Sequence, residues 1–110
     1  MNLSTHVLDL ARGLPARGVA VTLERHDGGV RWTQLAEART DDDGRVRSLL
    51  PEGVALDART YRLRFDTGAY LGDGAFYPEA TIVFRVLDPK AHHHVPLLLS
   101  PFGYSTYRGS

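Results

Sequence analysis

Apolar and polar residues alternate with a period of two through much of this chain. In GVAVTLERH, Val19, Val21 and Leu23 share one face, while Thr22 and Glu24 share the other. In TYRLRFDT, Tyr61, Leu63 and Phe65 alternate with Arg62 and Arg64, and in TIVFRVLD, Ile82, Phe84 and Val86 line one face. That period belongs to a β-strand with one buried side. The opening LSTHVLDL and the late HHHVPLLLS also read as strands; RWTQLAEART, more polar, reads as an edge strand. Turn signals separate the segments: Arg12-Gly13-Leu14-Pro15, His26-Asp27-Gly28-Gly29, Asp42-Asp43-Gly44 and Pro51-Glu52-Gly53. Closely spaced strands with glycine turns predict an all-β, antiparallel sandwich or barrel. Only DTGAYLGDGAFYPEA leaves room for a short helix or an irregular loop, since its glycines and proline oppose a long helix.

The chain has 110 residues and shows no linker, repeat or low-complexity segment, which predicts one domain over residues 1–110. At this length roughly two-thirds of the unfolded surface can be buried, enough for one modest core. An apolar content of 43% and a charged content of 24% are ordinary for a globular chain. Basic and acidic side chains balance at 13 each, so net charge gives no reason to expect nucleic acid or an acidic membrane as partner. A zero net charge also does nothing to discourage self-association. The lack of cysteine excludes disulfides and thiol chemistry and removes one clue to the compartment. No apolar run reaches membrane-spanning length, and MNLSTHVLDL lacks the basic, apolar and small-residue order of a secretion signal. The expectation is a soluble, cytoplasmic protein.

The histidines carry the candidate chemistry. Three of the five are consecutive, His92-His93-His94; His6 lies in the first strand and His26 in a turn. On a strand, His92 and His94 point one way and His93 the other. If the first and last strands are neighbours, His6 and His94 meet. Two chemistries suit this set. His6, His92 and His94 would supply three imidazoles to a zinc ion with an open water position. Alternatively, imidazole alone takes a proton from water and returns it, because it titrates near neutrality. The bland possibility is that these are ordinary surface or core histidines. Arg45, after Asp41-Asp42-Asp43-Gly44, either presents its planar fork to a substrate carbonyl or anion, or is a solvated partner of its acidic neighbours. The Asp run favours a turn and lacks the interleaved ligands and distal Glu of an EF-hand calcium loop. Arg62, Arg64 and Arg85 read as solvated or interfacial faces, Trp32 as packing, and Tyr70, Phe76 and Tyr77 as cover over the core.

Four stretches spread in order along the chain share a resemblance. HHHVPLLLSPFGYSTYRGS, from His92 to Ser110, resembles the closing signature of the transthyretin-related 5-hydroxyisourate hydrolases. LSTHVLD resembles that family's first motif, TDDDGRV its middle motif, and FYPEATIVF fits as well. Transthyretin, the hormone carrier, shares the fold without this ending or the catalytic histidines. The resemblance implies a transthyretin-like β-sandwich of two antiparallel sheets with one short helix. It implies a homotetramer, a dimer of dimers, with sites at the dimer–dimer interface. The implied reaction is hydrolysis of 5-hydroxyisourate to 2-oxo-4-hydroxy-4-carboxy-5-ureidoimidazoline in urate breakdown, without metal or other cofactor.

Carried onto this sequence, the family's catalytic positions fall on His6, Arg45, His94 and the terminal Tyr107, Arg108, Gly109 and Ser110. His6 and His94 would together deprotonate a water, and Arg45 would bind substrate and steady the oxyanion. Tyr107 would hydrogen-bond the substrate, and Arg108 would anchor the tail or favour anions. Gly109 would allow close backbone approach, and Ser110 would bring a hydroxyl and a carboxylate to orient a histidine. The family often has an aromatic residue at the position of His93. A module that carries a small aromatic ligand without turning it over is the rival reading, and a zinc hydrolase the third.

Overall fold

The computed structural model describes residues 3–110. Its elements run β1 (Leu3–Asp9), β2 (Leu14–Pro15), β3 (Ala20–Gly28), β4 (Arg31–Arg39), β5 (Arg45–Val46), β6 (Thr60–Phe65), α1 (Thr67–Leu71), β7 (Ala80–Arg85), β8 (His93–Ser100) and β9 (Gly103–Thr106). One sheet has the order β2-β1-β8-β9, with β5 also on β1; the other has the order β4-β3-β6-β7. The alternating residues of the sequence form the inner faces. Leu3 and Val7 of β1 and Val95, Leu97 and Leu99 of β8 belong to one buried cluster with Val21 and Leu23 of β3 and Tyr61, Leu63 and Phe65 of β6. Burying a side chain of this size stabilises the fold by about 1.5–3 kcal/mol, so this inner layer dominates the energetics. RWTQLAEART lies at a sheet edge as expected, and the short helix begins at Asp66, whose carboxylate accepts from the Ala69 N–H.

Three departures from the sequence expectation shape the site. First, β1 and β8 run parallel, from Leu3 opposite His93 to Asp9 opposite Leu99, whereas the other pairings are antiparallel. A parallel pair needs a long crossover, and here it includes the whole second sheet. Second, β2, β5 and β9 are strands that the sequence pattern does not announce. Two of them have 2 residues each, too few for a period, and β9 is almost wholly exposed, so it carries no buried alternation. Third, Phe76 and Tyr77 do not cover the core. They are 67% and 42% exposed and meet each other, and Tyr77 meets Tyr104, edge to face. The Phe76 N–H donates to the Pro101 carbonyl, which ties their loop to the β8–β9 turn instead. Tyr70 does pack on the core, and its hydroxyl donates to the buried Asp9 carboxylate at 2.8 Å. Among the described residues no helix is long and apolar enough to cross a membrane.

Candidate active site

The outer face of the five-stranded sheet gathers the polar residues that its inner face cannot hold. On β1, Leu3, Thr5, Val7 and Asp9 turn inward, so Ser4 and His6 turn outward. His6 stands opposite Arg45 of β5. The turn before Arg45 is built by Asp41, whose carboxylate accepts from the backbone N–H of Asp43 and of Arg45, each at 2.9 Å. Gly44 closes the turn with φ of 73°, and a Cβ there would lie 2.4 Å from the Val7 carbonyl oxygen. The acidic neighbours are engaged elsewhere: Asp42 pairs with Arg17, and Asp41 and Asp43 pair with Arg47. Arg45 makes no ion pair among the described residues, so its guanidinium is uncommitted.

The parallel register brings Ser4 opposite His94. Ser4 Oγ lies 2.8 Å from His94 Nδ1 and 3.1 Å from His92 Nε2, and the two rings run nearly parallel, 6.5 Å apart. The strand parity of the HHH run therefore holds, with His93 turned inward at 5% exposure. The group that orients His94 is Ser4, a residue to which the sequence alone assigns no role. The buried Nδ1 of His93 has no hydrogen-bond partner among the described residues. An aromatic ring without that nitrogen would leave nothing unsatisfied there.

Pro96 shapes the path of the tail. Proline cannot donate to a ladder. The β8–β9 ladder stops at Leu97 opposite Thr106, and the Thr106 hydroxyl donates to the Pro96 carbonyl at 2.7 Å. Tyr107 and Arg108 leave the ladder, and the chain rejoins it at Gly109, whose N–H donates to the His94 carbonyl at 2.8 Å. A Cβ on Gly109 would sit 2.5 Å from His94 Cδ2, so only glycine fits against this ring. Its φ is not left-handed; the requirement is room, not conformation.

A cleft of about 220 Å³ opens here, walled by Ser4, Arg45, Arg47, His92, His94 and Ser110. His6 does not line it but stands opposite Arg45. Tyr107 and Arg108 border an adjoining cleft of about 310 Å³ with His93, His94, Ile82 and Phe84. His94 belongs to both clefts. The fold thus brings His6, Arg45, His94, Gly109 and Ser110 together and sets Tyr107 and Arg108 to the side. Burial lowers the pKa of His94 below the ordinary 6.5, and the charges of Arg45, His6 and His92 lower it further. His6 is also lowered from 6.5, by burial first and Arg45 next, against a weaker pull from the Asp43 backbone. Both rings are therefore held neutral at neutral pH, the form that accepts a proton. Among the described residues, no group of three His, Asp or Glu side chains is arranged to hold a metal ion.

The fold alone does not separate a hydrolase from a carrier. The chain superposes on sea bream transthyretin in complex with thyroxine with a TM-score of 0.89 at 35% identity, covering 99% of this chain and 95% of that one. It superposes on the Klebsiella pneumoniae 5-hydroxyisourate hydrolase with a TM-score of 0.85 at 38% identity, covering all of both chains. In sequence it is 48% identical over 112 residues to the Salmonella typhimurium 5-hydroxyisourate hydrolase, across 98% of this chain and 80% of that protein. It is 46% identical to the Arabidopsis thaliana uric acid degradation bifunctional protein TTL, of which it spans 37% of the length. The sequence model of the HIUase/Transthyretin family matches residues 3–109, nearly the whole of the described chain, and with this sandwich and these relatives the chain belongs to that family.

Proposed function

We propose that this chain is an enzyme that hydrolyses 5-hydroxyisourate to 2-oxo-4-hydroxy-4-carboxy-5-ureidoimidazoline in urate degradation. The observation that carries this reading is the meeting of His6, Arg45 and His94 on one sheet face, with Gly109 seated against His94. The substrate is a flat, oxygen-rich ring opened by an amide-type hydrolysis. His94, neutral and oriented by Ser4, takes the proton of a water with His6 alongside. The water oxygen bonds to the ring carbonyl carbon, and the carbonyl oxygen becomes negative. Arg45, with no ion-pair partner among the described residues, binds the substrate and steadies that oxyanion, the largest single effect in most acyl chemistry. The ring C–N bond then breaks, and the proton goes to the leaving nitrogen. Tyr107 and Arg108, at the adjoining cleft that shares His94, bind the polar rim of the substrate. Gly109 gives close approach, and Ser110 adds a hydroxyl to the cleft wall. The working unit is a homotetramer, a dimer of dimers, with its sites where the dimers meet.

The likeness to transthyretin favours a second reading, a sandwich that carries a small aromatic ligand. Against it, carrier sites are mostly apolar, whereas the cleft here is walled by arginines, histidines and serines. One assay separates the two: 5-hydroxyisourate is generated freshly from urate, and its ultraviolet decay is followed with a chelator present. The expected result is fast decay that falls by about 10²–10⁴-fold in His94→Ala while the circular dichroism is unchanged. Decay at the spontaneous rate, with or without added zinc, would favour the carrier.

A further inference from the structure

Ser4 is only 8% exposed, yet its hydroxyl reaches two imidazoles, Nδ1 of His94 at 2.8 Å and Nε2 of His92 at 3.1 Å. A serine hydroxyl has one proton to give and two lone pairs to receive. It can therefore donate to only one of these rings, and the other must donate to it. Two arrangements satisfy both contacts. In one, Ser4 donates to His92, and His94 donates its Nδ1–H to Ser4; Nε2 of His94 then keeps its lone pair. In the other, Ser4 donates to His94 and accepts Nε2–H from His92; Nε2 of His94 then carries hydrogen and cannot act as a base. Only the first suits a base that must take a proton from water.

We propose that Ser4 and His92 hold His94 in its Nδ1–H tautomer and relay onward the proton that His94 takes from water. The inference rests on the proposed hydrolysis for its catalytic half; the tautomer stands apart from it. In the step, Nε2 of His94 gains the water proton, the Nδ1 proton passes to Ser4 Oγ, and the Ser4 proton passes to Nε2 of His92. Three bonds to hydrogen break and three form, with no change of oxidation state. The positive charge ends on His92, which is exposed, instead of on half-buried His94. Burial, Arg45 of β5, His6 of β1 and His92 disfavour a cation on His94, against a weaker opposing pull from the Ser4 backbone. Arg47, just after β5 and on the same cleft wall, adds a further positive charge. Ser4 and His92 are positioning residues in this scheme, since they act through His94.

Long-range proton–nitrogen NMR reads the tautomer of His94 in the resting protein, with no substrate present. The expected result is Nδ1–H in the wild type, moving toward Nε2–H in Ser4→Ala and in His92→Phe. In both variants kcat should fall by about 10-fold or more with KM little changed, a share of what a positioned base contributes. Ser4→Thr, which keeps the hydroxyl, should restore the tautomer and most of the rate. A wild-type His94 in the Nε2–H form, or a tautomer unmoved in both variants, overturns the relay whatever the activity does. A moved tautomer with unchanged kcat overturns its catalytic half. A wild type with the expected tautomer but no turnover supports the hydrogen-bond assignment and sinks the proposed hydrolysis instead.

Discussion

Arg45 helps to hold two histidines neutral at once. It is the second cause, after burial, of the lowered pKa of both His6 and His94. A base must be neutral to act, so kcat/KM should hold its plateau down through pH 6.5 and fall only at the lowered value. Arg45→Gln removes the charge, so the acid limb should move up toward 6.5, along with a loss of rate if Arg45 is the proposed oxyanion partner. An acid limb that stays in place in Arg45→Gln would show that Arg45 does not set it. The same shifts act on stability. A histidine with a depressed folded-state pKa binds fewer protons folded than unfolded. Its contribution is full above 6.5 and is lost as pH falls through the folded values. Urea melts taken over that window should show a gentler loss in Arg45→Gln than in the wild type.

The tail is held by one strand interruption and one missing side chain. Pro96 ends the β8–β9 ladder, and Gly109 restores it opposite His94 with no room for a methyl group. Gly109→Ala must displace either the tail or the His94 ring, and the ring is tied to Ser4. A displacement near 1 Å costs about 10²-fold when reacting groups must stay aligned. Turnover in Gly109→Ala should drop by that order while the melting temperature stays near wild type, because the core is untouched. Full activity in this variant would mean that the tail is not part of the site. The strands with buried faces were legible because period-two alternation records burial directly. Asp41-Asp42-Asp43-Gly44 was legible because its turn is local chemistry. The parity of His92, His93 and His94 followed from strand geometry, while the roles of His6, Arg45 and His94 came from the resemblance. The roles of Ser4 and Pro96 were not legible, because each depends on a register between segments some 90 or 10 residues apart. Nothing in LSTH states that Ser4 will face His94, and nothing near Pro96 states where Tyr107 will leave the sheet.

The two sheets differ in what they leave uncovered. The outer face of the five-stranded sheet holds the cleft, open on the side away from the core. At one end of that sheet Leu10, Leu14 and Phe102 stand 57%, 49% and 78% exposed, an apolar group that water does not favour. A net charge of zero leaves no long-range repulsion between copies. A second copy laid across this face would cover the apolar end and close the cleft, shutting water out of a site whose ion–dipole interactions strengthen as it dries. Activity per chain should therefore fall on dilution in step with the fraction of the proposed tetramer read by light scattering or mass photometry. Phe102→Glu should shift the protein toward smaller species and lower kcat, with its circular dichroism unchanged, because the residue touches none of the catalytic groups. A dissociated protein that keeps its full rate would show that one chain completes the site alone; Arg45, His94 and Gly109 would then need no second copy to exclude water.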